Sequence, residues 1–186
     1  MSLKNFCYMK LKLFYLLIAI FGLTNITACS DDDDNNKPAV NPNIPEAVAQ
    51  AFKDKYPDVD QSKVQWETKG IYTVAEFKTL ANQNDVEAWF TKAGEWKMTE
   101  NDYGKDLFMI PTVINEAFVK SEYGTWQIDD ISYYEYPTES SNFYLIEVEK
   151  TGQPDTQLYF KTDGTTIKTT TDTNVDITPD TQVQPA

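Results

Sequence analysis

Apolar residues recur first at helical spacing and then at strand spacing, and this change of period happens twice along the chain. The helical positions are Ile44, Val48, Ala51, Phe52 and Tyr56 in the first half, and Ile110, Val113, Ile114, Ala117 and Phe118 in the second. Downstream of each helix, apolar residues fall at every second position, as in residues 71–77 and 86–90. The pattern predicts a helix followed by about four antiparallel strands, twice.

The two halves also match each other in sequence. Residues 44–52 (IPEAVAQAF) correspond to residues 110–118 (IPTVINEAF), since both segments begin with Ile-Pro and end with Ala-Phe. Later in each half, Trp89-Phe90 followed by Gly94 corresponds to Tyr159-Phe160 followed by Gly164. A match that extends over the whole domain predicts a two-fold internal repeat.

These patterns predict an α+β fold in which two tandem αββββ units form one antiparallel sheet with two helices packed on one face. We expect the domain over residues 43–172, with repeat units of about 43–103 and 109–172. Residues 173–186 contain Asp, Thr, Gln and Pro with isolated valines, so they are predicted to form a disordered tail.

The helix that begins at Ile-Pro, the four strands with an aromatic-Phe-x-x-x-Gly turn and the repetition of the unit together resemble the PepSY-like family. These are secreted lipoproteins related in fold to the β-lactamase inhibitor protein. The resemblance covers roughly residues 43–172 and implies two αββββ units side by side in one sheet. The family has no agreed catalytic residues that could be transferred to this chain.

The first 28 residues have the features of a lipoprotein signal peptide. Lysines are followed by an apolar stretch at residues 13–23, which is shorter than the roughly 20 residues of a membrane-spanning helix. The segment Ile26-Thr27-Ala28-Cys29 resembles the lipobox of bacterial lipoproteins, which implies acylation of Cys29, for example with palmitate. The following residues Ser30, Asp31, Asp32, Asp33 and Asp34 resemble a signal for export to the outer face of the outer membrane. Residues 29–42 are predicted to be an acidic tether, so we expect a lipid-anchored, surface-exposed protein of the outer membrane.

The charge balance narrows the choice of partners. The chain has a formal net charge of −13, and removing residues 1–28 removes three lysines but no acidic residue. A chain this acidic repels nucleic acid, so we expect none among its partners, and the membrane would be held through Cys29 alone. Its two cysteines are Cys7, within the signal, and Cys29, which leaves no disulfide for the mature fold.

Few catalytic arrangements can be built from these residue types. The chain contains no histidine and no arginine, and no free cysteine remains after lipidation, so nucleophilic triads and ordinary zinc sites are excluded. Carboxylate pairs such as Glu147 and Glu149 could hydrolyse a glycoside, but alternation turns them toward solvent. The segment 58–62 begins like a calcium loop but lacks its glycine and distal glutamate, so an Asp-rich turn is favoured. We therefore predict no enzyme activity, no catalytic residue, no cofactor and no metal.

Aromatic residues supply the candidate binding surface. Trp89 alternates with Ala88 and Phe90, so it should point to the sheet face opposite the helices, together with Tyr72, Tyr144 and Tyr159. Trp96 and Tyr134 are further candidates for this face. Such a face is either cross-strand packing or a docking surface.

Two classes of binding function are compatible with this surface. The first is a non-enzymatic module that binds a protein or peptide, and the resemblance suggests that it inhibits a peptidase or hydrolase. The alternative is a surface lipoprotein that stacks glycan rings on the aromatic side chains. The sequence does not identify the ligand of either.

Overall fold

The computed structural model describes residues 44–79, 83–171, 173, 175–181 and 183. Two α-helices, α1 (Glu46–Lys55) and α2 (Thr112–Lys120), each precede four strands. The first four strands are β1 (Gln65–Lys69), β2 (Tyr72–Lys78), β3 (Asp85–Thr91) and β4 (Trp96–Asp102). The last four are β5 (Gln127–Glu135), β6 (Phe143–Glu149), β7 (Thr156–Lys161) and β8 (Thr166–Thr170). Short 3-10 helices lie at Gln61–Lys63, Leu107–Met109 and Glu139–Ser141.

All eight strands form one sheet, and each strand pairs antiparallel with its neighbours in sequence. The central pairing of β4 with β5 joins the two halves through partners such as Glu100 with Tyr134 and Asn101 with Tyr133. This arrangement confirms the predicted α+β class and the single antiparallel sheet.

Helix α1 is held to the sheet by its apolar stripe. Val48 and Phe52 are fully buried, and the Phe52 ring lies 5.2 Å from the rings of both Trp66 and Phe77 in near-perpendicular contacts. Such edge-on aromatic contacts add to the stabilisation from burial of apolar surface. Pro45 occupies the N-cap position and its side chain makes no capping hydrogen bond.

Helix α2 covers the same face of the sheet beside α1. Its buried residues Ile114 and Phe118 pack in a cluster with Ile131 and Phe160. Thr99 of β4 lies on the side of α1, because its hydroxyl forms a 2.5 Å hydrogen bond with the hydroxyl of Tyr56, directly after α1. Asn101 is two residues further along β4 and therefore on the same face, and its cross-strand partner is Tyr133 of the α2 cluster. The residues packed against α1 and α2 therefore share a face. The prediction that both helices lie on one face is therefore consistent with the packing.

Two tight turns bring the sheet close to the helix N-termini. Gly94 adopts φ +84° and lies against Ala47 of α1, and Gly164 adopts φ +86° and lies against Val113 of α2. Ala47 and Val113 are each the second residue after the Ile-Pro proline, so the same contact is made in both halves. A side chain at either glycine would meet the helix backbone, which explains why the turn residue is glycine.

The C-terminal segment differs from the predicted disordered tail. Its described residues, 175–181 and 183, lie along the sheet, and Ile177 is only 8% exposed. The turn between Thr178 and Thr181 is closed by backbone and side-chain hydrogen bonds of 2.9 Å. We call these described residues the strap. The expectation of disorder is corrected here because apolar residues of the segment are packed against the sheet.

None of the helices in the described ranges has the length and apolar character needed to cross a membrane. Cys29, the run Ser30–Asp34 and the whole of residues 1–43 lie outside the described residues.

Candidate functional site

The sheet face opposite the helices, here called the distal face, has an apolar zone that spans both halves of the domain. Strands β2 to β7 contribute to it, and its side chains are buried. Its members are Tyr72, Val74, Trp89, Met98, Tyr134, Phe143, Leu145 and Tyr159. Cross-strand pairing of Val74 with Trp89 and Trp89 with Met98 makes the zone continuous.

Three of the four predicted binding residues lie in this zone. Tyr72, Trp89 and Tyr159 belong to the distal face, whereas Tyr144 packs on the helix side and stacks on Tyr133 with ring centroids 4.6 Å apart. The prediction for Tyr144 is wrong because β6 is buried on both faces, and alternation places Tyr144 opposite to its neighbours Phe143 and Leu145. Of the two further candidates, Tyr134 lies on the distal face and Trp96 on the helix side, where its indole N–H donates to Thr99 at 2.9 Å.

The apolar zone is covered in part by the strap. Ile177 packs into the zone, and Val183 packs against its border. The Tyr72 hydroxyl lies 2.9 Å from both carboxylate oxygens of Asp180 and donates to them. Burial, together with this hydrogen bond to a carboxylate, raises the pKa of Tyr72 above its ordinary value, so the hydroxyl keeps its proton as a donor.

Two buried hydrogen-bond donors in and beside the apolar zone remain unused. The Trp89 indole nitrogen Nε1 and the Tyr136 hydroxyl are buried and have no hydrogen-bond partner among the described residues. Burial raises the pKa of Tyr136 well above its ordinary value, so it too stays protonated. Tyr136 lines a cavity of about 330 Å³ between the sheet and strap residues Pro179, Thr181 and Val183. Buried donors without acceptors are rare in native proteins and point to an absent acceptor.

Cations border the same zone. The Lys69 ammonium lies 5.3 Å from the centre of the Trp89 ring, and the Lys168 ammonium lies 4.4 Å from the centre of the Tyr159 ring. Lys161 lines the cavity near Tyr136. The apolar zone therefore has donors and positive charges along part of its border, in a chain whose net charge is strongly negative.

An acidic row crosses the distal face beside the apolar zone. Glu76, Glu87 and Glu100 are direct cross-strand neighbours on β2, β3 and β4. Like charges directly opposed across strands destabilise a sheet, so this row needs compensation. Glu100 accepts hydrogen bonds of 2.9 Å from the hydroxyls of Ser132 and Tyr134, which stabilise its charged form.

The outer end of the row is a carboxylate cluster that already contains a cation. Carboxylate oxygens of Glu67, Glu76 and Glu87 lie within 4.8 Å of one another, a spacing that could hold a metal ion. The Lys69 ammonium, however, lies 2.6 Å from Glu67, 2.7 Å from Glu87 and 3.9 Å from Glu76. Because the lysine supplies the positive charge, the cluster is organised as an ion-pair network.

We expect Glu76 to lower the stability of the domain as the pH rises. Burial, and then the neighbouring Glu67, raise the pKa of Glu76 from 4.5 to about 7. Between these two pKa values the folded state keeps a proton that the unfolded state releases. The stabilisation of the folded state by the protonated Glu76 is therefore fully present below pH 4.5 and is lost as the pH rises through about 7. Glu76→Gln removes this titration, so its free energy of unfolding relative to wild type should increase between about pH 5 and about pH 8.

Chemical denaturation at the two pH values measures this difference. The control is Glu116→Gln on α2, because the exposed Glu116 pairs with Lys120 at 2.8 Å and its pKa is lowered, out of the tested window. Glu116→Gln should show the same difference from wild type at both values. A Glu76→Gln difference that also does not vary with pH would contradict the assignment.

The acidic segment 58–62 has a structural role in the described chain. Asp60 accepts hydrogen bonds from the backbone N–H and the hydroxyl of Ser62, at 3.1 and 2.6 Å, and so caps the 3-10 helix Gln61–Lys63. This is the turn that sequence analysis favoured over a calcium loop.

Comparison with known proteins agrees with this fold and adds a family. A profile described as "Putative beta-lactamase-inhibitor-like, PepSY-like" matches residues 72–168. The chain belongs to this family. The matched PepSY-like region includes all eight residues of the apolar zone and all three of the acidic row but ends before the strap.

Solved structures from Bacteroides resemble this PepSY-like chain over most of their length. A BLIP-like protein from Bacteroides fragilis is 31% identical, with a TM-score of 0.63, and the alignment covers 77% of this chain and 94% of that one. A DUF2874 family protein from Bacteroides ovatus is 27% identical, with a TM-score of 0.62, and coverages of 70% and 91%. A protein from Bacteroides eggerthii described as periplasmic is 26% identical, with a TM-score of 0.59 and coverages of 68% and 88%. The comparison with curated proteins gives no match.

Several residues of the PepSY-like site escaped the sequence analysis. Ile177, Asp180 and Tyr136 were not singled out, although Val175, Ile177 and Val183 all fall at odd positions, which is a weak signal of a strand-like segment with one apolar side. The acidic row could not be found without the register of the sheet, since Glu76, Glu87 and Glu100 are far apart in sequence.

Proposed function

We propose that this protein is a non-enzymatic module that binds another protein or a peptide through the distal face. The observation that carries the proposal is the continuous apolar zone of Tyr72, Trp89 and Tyr159, which spans both halves of the domain and is bordered by charged groups. Apolar surface rich in aromatic residues and surrounded by polar groups is typical of the centre of a protein interface. The family, described as inhibitor-like, supports the same class of function.

The acidic row gives the interface a second, charged part. Glu87 and Glu100 lie beside the apolar zone and are only partly buried, so their carboxylates are accessible to basic side chains of a partner. We infer that this row contributes to the choice of partner and to the rate of association more than to stability. We propose inhibition of a peptidase or hydrolase as one use of such a surface, and the resemblance to a BLIP-like protein supports it.

The glycan-binding alternative has less support. The comparisons name no carbohydrate-binding protein among the relatives given above, and Tyr72, Trp89 and Tyr159 are each less than 10% exposed. The strap already places a peptide segment on this zone, through Ile177 and Asp180, which is support that a glycan lacks. We therefore favour a protein or peptide.

Capture from the cell envelope tests the proposal. The chain without residues 1–28 and with Cys29→Ala is immobilised and incubated with envelope extract, alongside a charge-exchanged variant that combines Glu87→Lys and Lys168→Glu on the distal face. Since the exchange keeps the net charge, loss of a captured protein reports the arrangement of charges on this face. Phe108→Ser is the matched control, because Phe108 is 94% exposed and lies outside the distal face.

Wild type and Phe108→Ser should retain the same protein, and the charge-exchanged variant should lose it while keeping its circular dichroism spectrum. Equal retention by the folded charge-exchanged variant would place the binding surface elsewhere. No retained protein with any variant would contradict the binding function itself.

We also propose that the protein is carried outside the cytoplasm and anchored by lipid at Cys29. The relative from Bacteroides eggerthii described as periplasmic supports the first part, and the lipobox-like segment with the Ser30–Asp34 run supports the second. Cys29→Ala should release the protein into the soluble envelope fraction, as measured by fractionation and immunoblotting. A Cys29→Ala protein that stays with the outer membrane would contradict the lipid anchor.

A further inference from the structure

The described contacts of the strap with the distal face include one buried side chain and one hydrogen bond to the sheet. Of its described side chains, Ile177 alone is buried, whereas Val175 is 45% exposed and Asp176 points into solvent. Among the described residues, the Tyr72 hydroxyl of the sheet donates a hydrogen bond to the Asp180 carboxylate of the strap. One aliphatic side chain and, three residues later, one carboxylate are therefore two attachment points of the strap, beside the packing of Val183 at the border of the zone.

Several groups in and beside the apolar zone are hydrogen-bond donors or cations. Tyr72 donates to Asp180, and the Trp89 indole N–H and the Tyr136 hydroxyl are protonated donors as well. Lys168 lies over the ring of Tyr159 at the border of the zone. A segment that offers carbonyl and carboxylate oxygens matches these donors.

The strap uses only part of this capacity. The Trp89 and Tyr136 donors stay without a partner in the described structure while the strap is in place. A buried donor that lacks an acceptor loses the hydrogen bond that water would have given it. A different segment that offered an acceptor to both donors would therefore bind this zone more tightly than the strap does.

We propose that the strap is a built-in, displaceable ligand of the apolar zone, and that the zone binds a segment of a partner protein that turns as the strap does, with an aliphatic side chain and, three residues later, a carboxylate. This proposal rests on the binding function assigned above to the distal face and specifies its ligand. The strap would keep the aromatic zone covered until a partner segment replaces it, which avoids a large exposed apolar patch in the absence of the partner.

A peptide added in trans tests whether the strap behaves as a ligand. The probe is a fluorescently labelled peptide of residues 173–186, and the protein is the Cys29→Ala chain from residue 29 that ends at residue 171. Fluorescence anisotropy should show saturable binding to this shortened chain. The chain that keeps its own strap should bind the peptide at least about 10-fold more weakly, because a tethered segment competes at an effective concentration on the order of millimolar.

Substituted peptides test the chemistry of the two anchoring positions. Ile177→Ser in the peptide should weaken binding about 10–100-fold, because it removes one buried aliphatic side chain. Asp180→Asn should also weaken binding, since the acceptor of Tyr72 loses its charge. Val175→Ser is the matched control and should change binding by less than about 2-fold, because Val175 is half exposed.

Three results would overturn the proposal: no saturable binding to a folded shortened chain, equal binding by the chain that keeps its strap, or equal affinities of all peptides.

If the shortened chain does not fold, the chain from residue 29 with Ile177→Ser and Asp180→Asn replaces it. This variant should bind the unsubstituted peptide more tightly than wild type does, and no gain in affinity would refute the proposal. A wild-type dimer that dissociates on removal of the strap would identify a second copy as the occupant, against the partner segment proposed. Capture of an envelope protein that the peptide does not compete for would leave the binding function intact and refute the strap as its ligand.

Discussion

Replacing Phe52 or Phe118 with alanine should destabilise the whole domain by about 3–5 kcal/mol. Both side chains are buried between a helix and the sheet, and Phe52 also contacts several aromatic rings. Truncation removes apolar contacts and leaves a cavity that the surrounding strands can close only in part. The loss is a large share of the roughly 5–15 kcal/mol by which domains are usually stable.

Urea denaturation followed by tryptophan fluorescence and by circular dichroism measures both variants. Because all eight strands form one sheet, either substitution should shift a single transition seen by both probes. Phe108→Ala is the control and should change the free energy of unfolding by less than about 0.5 kcal/mol, since Phe108 is exposed. Two separate transitions, with only one shifted by Phe52→Ala, would show that the halves unfold independently.

Gly94→Ala is the second substitution with a large expected effect. Gly94 has φ +84°, and a Cβ atom built on it lies 2.5 Å from the carbonyl oxygen of Ala47. The new side chain would be strained by its own backbone and would push the N-terminal turn of α1 away from the sheet. We expect a cost above the roughly 1–3 kcal/mol of a strained backbone position alone.

Gly70→Ala separates the two contributions. Gly70 also has a positive φ, +63°, but nothing lies within 4 Å of its added Cβ atom. Chemical denaturation should therefore show a smaller loss for Gly70→Ala, and the difference from Gly94→Ala measures the close approach to the helix. Equal losses for the two variants would mean that α1 moves away without cost and does not depend on this contact.

The helices and strands were predictable because the apolar period changes from helical to alternating, and the positions of Phe52 and Phe118 follow directly from it. The face on which Tyr144 lies could not be predicted, since β6 is buried on both faces and an unbroken apolar run does not show which side each residue takes. The strap was missed because its apolar residues are isolated in a polar segment. Its packing depends on a surface formed by strands β2 to β7, which local sequence does not reveal.

The repeat is supported by packing as well as by sequence. Gly94 against Ala47 and Gly164 against Val113 are the same contact in the two halves, and each involves a residue that the sequence match had aligned. We propose that the halves are copies of one αββββ unit. The distal faces of the two halves nevertheless differ in charge. Glu76 and Glu87 are cross-strand partners in the first half, and the corresponding partners in the second half are Glu147 and Gln157. There the Gln157 side-chain amide donates to Glu147 at 3.0 Å.

The indole N–H resonance of Trp89 tests the central claim, that the apolar zone of the distal face is a ligand site covered by the strap. The chain has four tryptophans, of which Trp66, Trp96 and Trp126 belong to the clusters on the helix side and serve as internal controls. When the peptide of residues 173–186 is titrated into the chain that ends at residue 171, the Trp89 signal should shift and saturate while the other three stay in place. A titration that moves the helix-side tryptophans and leaves Trp89 unchanged would contradict the claim.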